Sequence, residues 1–204
     1  LNHSYKIGCA FKKDEVPEIN VLQASIENNT SKQLTEFEGK QLINGYGIPI
    51  PKGVIITNLS EALKAAEEIT YPVTLKISEA ELAHKSELGA VRLNIQDSEM
   101  LEQACHDLFK IGSSLLIEKM IKDSVCELII GVDYDPTFGK YIIIGGGGIF
   151  VEILKDSALM LLPVTREDVL VAISKLKVYP LLEGYRGNSK GDIESVVDSV
   201  RSEE

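Results

Sequence analysis

The chain has 204 residues, 44% of them hydrophobic, and carries 31 acidic against 21 lysine and arginine side chains, for a formal net charge of −10. That length buries a core in one domain or two small ones, and no apolar run approaches the roughly 20 residues of a membrane span, which excludes a membrane partner of that kind. The acidic balance argues against binding along the backbone of DNA or RNA, so no nucleic-acid partner is expected and any anionic ligand must be gripped locally.

Residues 1–30 are polar without a sustained period and read as a tail or linker. The missing initiator methionine and the abrupt Arg201-Ser202-Glu203-Glu204 end suggest a piece cut from a longer polypeptide. Cys9, Cys105 and Cys126 are too scattered for a disulfide framework or a zinc site, so the expected location is a reducing one, the cytoplasm.

The ordered part, 31–204, is expected to begin near Leu34. Thr35-x-x-Glu38 has capping-box spacing and opens a helix that stops before Ile48-Pro49. A strand at Val54–Ile56 follows, then a second helix capped by Asn58, with Ala62, Leu63, Ala66 and Ile69 on one face and an end at Tyr71-Pro72. Val73–Ile77 reads as an apolar strand carrying Lys76. Ala90–Ile95 alternates, which puts Val91, Leu93 and Ile95 on a buried face and Arg92 on a polar one, within reach of the same anion as Lys76.

A helix after Asp97 and a strand over Leu115–Met120 come next, then two strands joined by Asp135-Pro136-Thr137-Phe138-Gly139, whose Pro and Gly predict an antiparallel hairpin. Gly145–Gly148 reads as a flexible turn; no Gly-Lys-Ser/Thr follows it, so it is not a P-loop. Ile149–Leu154 and Leu159–Val164 continue the β-rich region, Thr165-x-x-Asp168 caps a helix running to Leu176, and 192–200 forms the last. The whole is an α+β chain of two lobes, with several antiparallel strands.

The chemistry concentrates between Lys76 and His84. An ammonium on an apolar strand needs an anion to offset its desolvation, and a neutral imidazole is one of few side chains that carry a phosphoryl group reversibly, so the pair points to phosphoryl transfer. A lysine snorkelling from a strand end and an exposed loop histidine are the plainer readings of the same residues. His106 falls on the polar side of a helix and His3 in the tail, and neither has a plausible site.

From about Leu34 to the last residue the chain resembles the ATP-grasp domain of ADP-forming acetyl-CoA (acyl-CoA) synthetases. The resemblance rests on Leu34-Thr35-Glu36-x-Glu38 with Tyr46-Gly47-Ile48-Pro49, on Tyr71-Pro72-Val73-x-Leu75-Lys76, and on His84-Lys85-Ser86. It extends through Glu127-Leu128-Ile129-Ile130-Gly131, Asp135-Pro136-x-Phe138-Gly139, Gly147-Gly148-Ile149-Phe150-Val151-Glu152-x-Leu154-Lys155-Asp156 and Pro180-Leu181-Leu182-x-Gly184-x-Arg186-Gly187. It implies an ATP-grasp fold of two lobes with mostly antiparallel sheets clasping ATP or ADP. It also implies a phosphoryl relay from a histidine on a CoA-binding partner to His84 and on to ADP. The implied partner is a CoA-binding domain or α subunit, in a hetero-oligomer or a fused chain.

By position, the resemblance gives Lys76 the nucleotide phosphates. Glu118 and Met120 would lie where such domains hinge around adenine, Glu118 being equally readable as a solvated strand-edge carboxylate. Glu127 would be a nucleotide-site acid or a plain cross-strand ion pair. Glu152 and Asp156, four apart, would take part at a Mg²⁺ site together with the nucleotide phosphates. Family members continue into a strand of the pattern acid-x-acid-x-Asn-Pro, which is absent here and implies a domain truncated at its C-terminus. Pro17-Glu18-Ile19-Asn20 resembles that pattern but at the wrong end. The alternative reading is a non-catalytic regulatory module of the kind fused to protein lysine acetyltransferases.

Overall fold

The computed structural model describes residues 3–7, 34–78, 89–148 and 156–201. Strand β1 is His3–Ile7, helix α1 Glu36–Gly45, β2 Gly53–Ile56, α2 Leu59–Ile69, β3 Val73–Ile77, β4 Val91–Ile95 and α3 Ser98–Leu108. They are followed by β5 Leu115–Lys119, β6 Leu128–Asp135, β7 Gly139–Gly146, β8 Ser157–Leu161, α4 Arg166–Ser174, the short α5 Tyr179–Leu182 and α6 Ile193–Arg201. The described residues fall into two compact units that part after Met120.

In the unit of residues 34–120, the sheet order is β2-β5-β3-β4 and every pairing is antiparallel. The helix starts are set locally. Thr35 accepts from the Glu38 N–H while the Glu38 carboxylate takes the Thr35 N–H, and Asn58 and Asp97 cap α2 and α3 by accepting from the Glu61 and Met100 amides. Ala62, Ala66 and Ile69 of α2 and Leu101, Ala104 and Leu108 of α3 bury against Val73, Leu75, Ile77, Leu115 and Ile117. The strand period of two therefore gives those positions to the core and sends Thr74, Lys76, Leu116 and Glu118 to the opposite face.

The expected alternation of the fourth strand fails at Leu93, which is 60% exposed. The pairing of β3 with β4 shifts register between Val73 and Leu75, and Asn94 adopts a φ of 55°, so a bulge turns the middle of β4 outward.

The other unit carries a sheet of order β1-β6-β7-β8, also antiparallel throughout. The expected hairpin is β6–β7, closed by Asp135, whose carboxylate accepts from the Thr137 and Phe138 amides. Its core packs Ile142, Ile144, Met160, Val169, Ile173 and Val197. The N-terminal stretch is more than a tail, because His3–Ile7 adds a strand to the edge of β6. Backbone pairing to a free sheet edge needs no side-chain period, which is why composition gave no sign of it. No helix among the described residues is long and apolar enough to cross a membrane.

Candidate functional site

Lys76 and Glu118 meet because of register. Glu118 of β5 stands opposite Thr74 of β3, and Lys76 opposite Leu116, so Lys76 and Glu118 are diagonal neighbours on the sheet face turned away from α2 and α3. The Lys76 Nζ lies 3.0 Å from a Glu118 carboxylate oxygen. Glu118 is 3% exposed. The solvated strand-edge reading of Glu118 is thereby corrected: β5 is an inner strand, flanked by β2 and β3, and its side chain is closed over.

Helix α1 completes the cluster. Glu36 and Lys40, one helical turn apart, point the same way and bond each other at 2.8 Å. The Lys40 Nζ donates to both oxygens of Glu118, at 2.6 and 2.8 Å, and the Lys76 Nζ donates directly to Glu36. Two ammonium groups and two carboxylates thus interlock. Glu36 and Lys40 were missed as site residues; the signal was their i,i+4 spacing in the first turns of a capped helix, which a surface ion pair shows equally.

Glycine at position 53 makes room for this. It sits opposite Glu118 across the β2–β5 pairing, and a Cβ there would lie 2.7 Å from the Glu118 Cγ and 2.8 Å from the Ile117 carbonyl oxygen. Any larger residue would push the buried carboxylate out of line with its two lysines.

The electrostatics follow from burial against pairing. Desolvation alone would raise the Glu36 pKa, but the charges of Lys76 and Lys40 and their hydrogen bonds override it and hold the carboxyl at about 2. For Lys76, desolvation would lower the pKa, and the carboxylates of Glu36 and Glu118 more than offset it, so the net shift is upward and the ammonium stays charged at neutral pH. Because the Glu36 pKa is depressed from 4.5, its stabilisation is present above about pH 4.5 and drains away as the pH falls toward 2. With the Glu36 side chain 32% exposed, solvent screening leaves this on the order of 2 kcal/mol. Thermal melts from about pH 5 down to about pH 3 should therefore show wild type losing more stability than Glu36→Gln; parallel curves would mean that the pairing contributes nothing.

The other expected site residues are placed as follows. Met120 lies just past the end of β5, with its N–H donated to the Pro72 carbonyl at 3.0 Å. Arg92 does not reach the Lys76 cluster. It pairs with Leu75, the neighbour of Lys76, and so lies on the opposite sheet face, with its guanidinium bonded to the Gly89 and Val91 carbonyls.

In the second unit, Glu127 and Asp156 flank the glycine run. Gly145 and Gly146 belong to β7 and are not a flexible turn. A Cβ on Gly145 would lie 2.5 Å from the Asp156 carbonyl oxygen, and one on Gly147 would lie 2.9 Å from the Glu127 Cβ. The glycines thus serve close packing of these two acids against the strand end. Asp156 is buried and one of its carboxylate oxygens accepts the Val178 N–H at 3.1 Å. His84 and Glu152 lie outside the described residues.

Two antiparallel sheets with helices packed on them, one sheet presenting a lysine locked to carboxylates, make an α+β fold of the ATP-grasp kind. The chain belongs to the ATP-grasp domain family, which it matches over residues 25–202. It is similar to the acetate–CoA ligase [ADP-forming] II subunit beta of Pyrococcus furiosus, 41% identical over 176 residues that make up 82% of this chain and 74% of that subunit. Among solved structures it is similar to the acetyl-coenzyme A synthetase 1 of Ca. Korarchaeum cryptofilum in complex with coenzyme A, Ca-AMPCP and HgCl+. That match has a TM-score of 0.79 at 32% identity and covers 89% of this chain and 82% of that one. A second structure of that synthetase holds coenzyme A and Mg-AMPPCP, with its phosphohistidine segment pointing towards the nucleotide binding site. It matches with a TM-score of 0.73 at 34% identity, covering 89% and 81% of the two chains.

Proposed function

We propose that this chain is the nucleotide-binding part of an ADP-forming acetate–CoA (acyl-CoA) ligase. It passes a phosphoryl group through a histidine to ADP, within the reaction acyl-CoA + ADP + phosphate = carboxylate + ATP + CoA. The observation that carries this reading is Lys76, an ammonium set among carboxylates on a sheet face in a chain 41% identical to a ligase β subunit. Lys76 holds the nucleotide phosphates and stabilises the charge that spreads over the transferring group. His84, in its neutral form, carries the phosphoryl group on a ring nitrogen: the N–P bond forms as the bond to the ADP oxygen breaks, and the reverse step makes ATP.

Glu118 fixes Lys76 and Met120 offers apolar contact to the base, and Glu127 is a further nucleotide-binding acid of this reading. Arg92 has no role in this reading, since its face of the sheet is the wrong one. Mg²⁺ is a hard cation that takes oxygen donors, usually one or two carboxylates beside phosphate oxygens. The carboxylates of Asp156 and Glu152 have that chemistry and would hold it, where it would neutralise phosphate charge. The partner is a CoA-binding domain or α subunit, which supplies the acyl chemistry, and the proposed compartment is the cytoplasm.

The reading is tested by intact mass after incubation with ATP and Mg²⁺. One added phosphate that is lost in acid and stable in base is the expected result, since a phosphoramidate has that lability and a phosphoserine does not. No adduct, with Mg-ADP still bound, would remove the relay and leave nucleotide binding alone.

A further inference from the structure

We infer that Glu36 is a built-in anion that occupies Lys76 in the nucleotide-free protein and is exchanged for a nucleotide phosphate on binding. The inference rests on the nucleotide-binding reading of Lys76. The two carboxylates on Lys76 are not equivalent. Glu118 is 3% exposed and is gripped by two hydrogen bonds from Lys40, so it cannot leave without stranding a buried charge. Glu36 is 32% exposed and stands at the first turn of α1, the more accessible partner and the one an arriving anion meets.

Charge bookkeeping gives the same answer. Lys40 and Lys76 against Glu36 and Glu118 sum to zero, so the closed cluster has no positive charge to spare for a nucleoside diphosphate. Once Glu36 moves off Lys76, the ammonium turns to the phosphate while Glu118 keeps it aimed. The displaced carboxylate is not stranded, because Lys40, bonded to the same Glu36 oxygen in the resting cluster, stays one helical turn away and the side chain has a solvent-facing side. The resting cluster therefore holds Lys76 charged and in place. Nucleotide affinity is lowered by whatever free energy the Glu36–Lys76 contact holds.

Removing the competitor must tighten binding, whereas a residue needed only for structure would weaken it or leave it unchanged. Calorimetric titration of the chain with Mg-ADP, on wild type, Glu36→Gln, Glu36→Asp and Lys76→Ala, decides this. Glu36→Gln should bind Mg-ADP roughly 10-fold more tightly than wild type while its ligand-free melting temperature falls. Glu36→Asp, which keeps the charge at shorter reach, should lie between the two and serves as the test if the glutamine variant does not fold. Equal or weaker binding by these variants, with wild type binding and Lys76→Ala failing to bind, would overturn the exchange and leave the nucleotide site intact. No binding by wild type would overturn the nucleotide reading and the exchange with it.

Discussion

Replacing His84 by asparagine should reduce the acid-labile phosphate taken up from Mg-ATP by at least about 10³-fold, because the amide nitrogen of asparagine is not nucleophilic. Asparagine keeps a polar group of similar reach, so Mg-ADP affinity should stay within about a factor of two of wild type. The split between the two readouts carries the assignment: a residue that only shaped the pocket would lose both together. His106 offers no substitute, since it is exposed on α3 and pairs with Asp107. An acid-labile phosphate that survives in the variant would place the relay on another residue and end the role of His84.

The second large effect is expected from Lys76→Ala. It leaves the buried Glu118 and the partly buried Glu36 facing each other with Lys40 as their shared cation. Breaking a buried pair from one side costs about 3–5 kcal/mol, and the remaining lysine puts this case near the lower end, about 3 kcal/mol. For a chain of this size that lowers the melting temperature by roughly 6–12 °C. Loss of a charge-assisted contact to the phosphates should weaken Mg-ADP binding by about 30-fold or more. Lys76→Met, which retains the aliphatic stem, separates charge from packing and should lose the affinity equally. A lowered melting temperature with unchanged Mg-ADP affinity would reduce Lys76 to a structural cation.

The residues whose place follows from the sequence are those whose meaning is local. Thr35 with Glu38, Asn58 with Glu61, and Thr165 with Asp168 cap their helices as their spacing predicts, because a cap is decided within four residues. The β6–β7 hairpin follows for the same reason from Asp135, Pro136 and Gly139. Glu118 could not be read this way. On a strand its neighbours along the chain are Ile117 and Lys119, and nothing nearby in sequence says that Gly53, Thr74 and Lys40 close over it. Arg92 failed for a related reason, since its place beside Lys76 was inferred from strand alternation without the partner register that puts the two on opposite faces.

By itself the sequence determined the helix starts, the turns, the apolar strand bearing Lys76, and the ordered motifs by which the ATP-grasp family is recognised, all of them short-range patterns along the chain. The tertiary structure alone decided that β1 extends a sheet, that the glycine run packs against two acids, and that Glu36 and Lys40 join Lys76 and Glu118. Those facts depend on which strands pair and in what register, and on where helix α1 lies against the sheet. Periodicity names the face a residue takes but not the distant residue that meets it there.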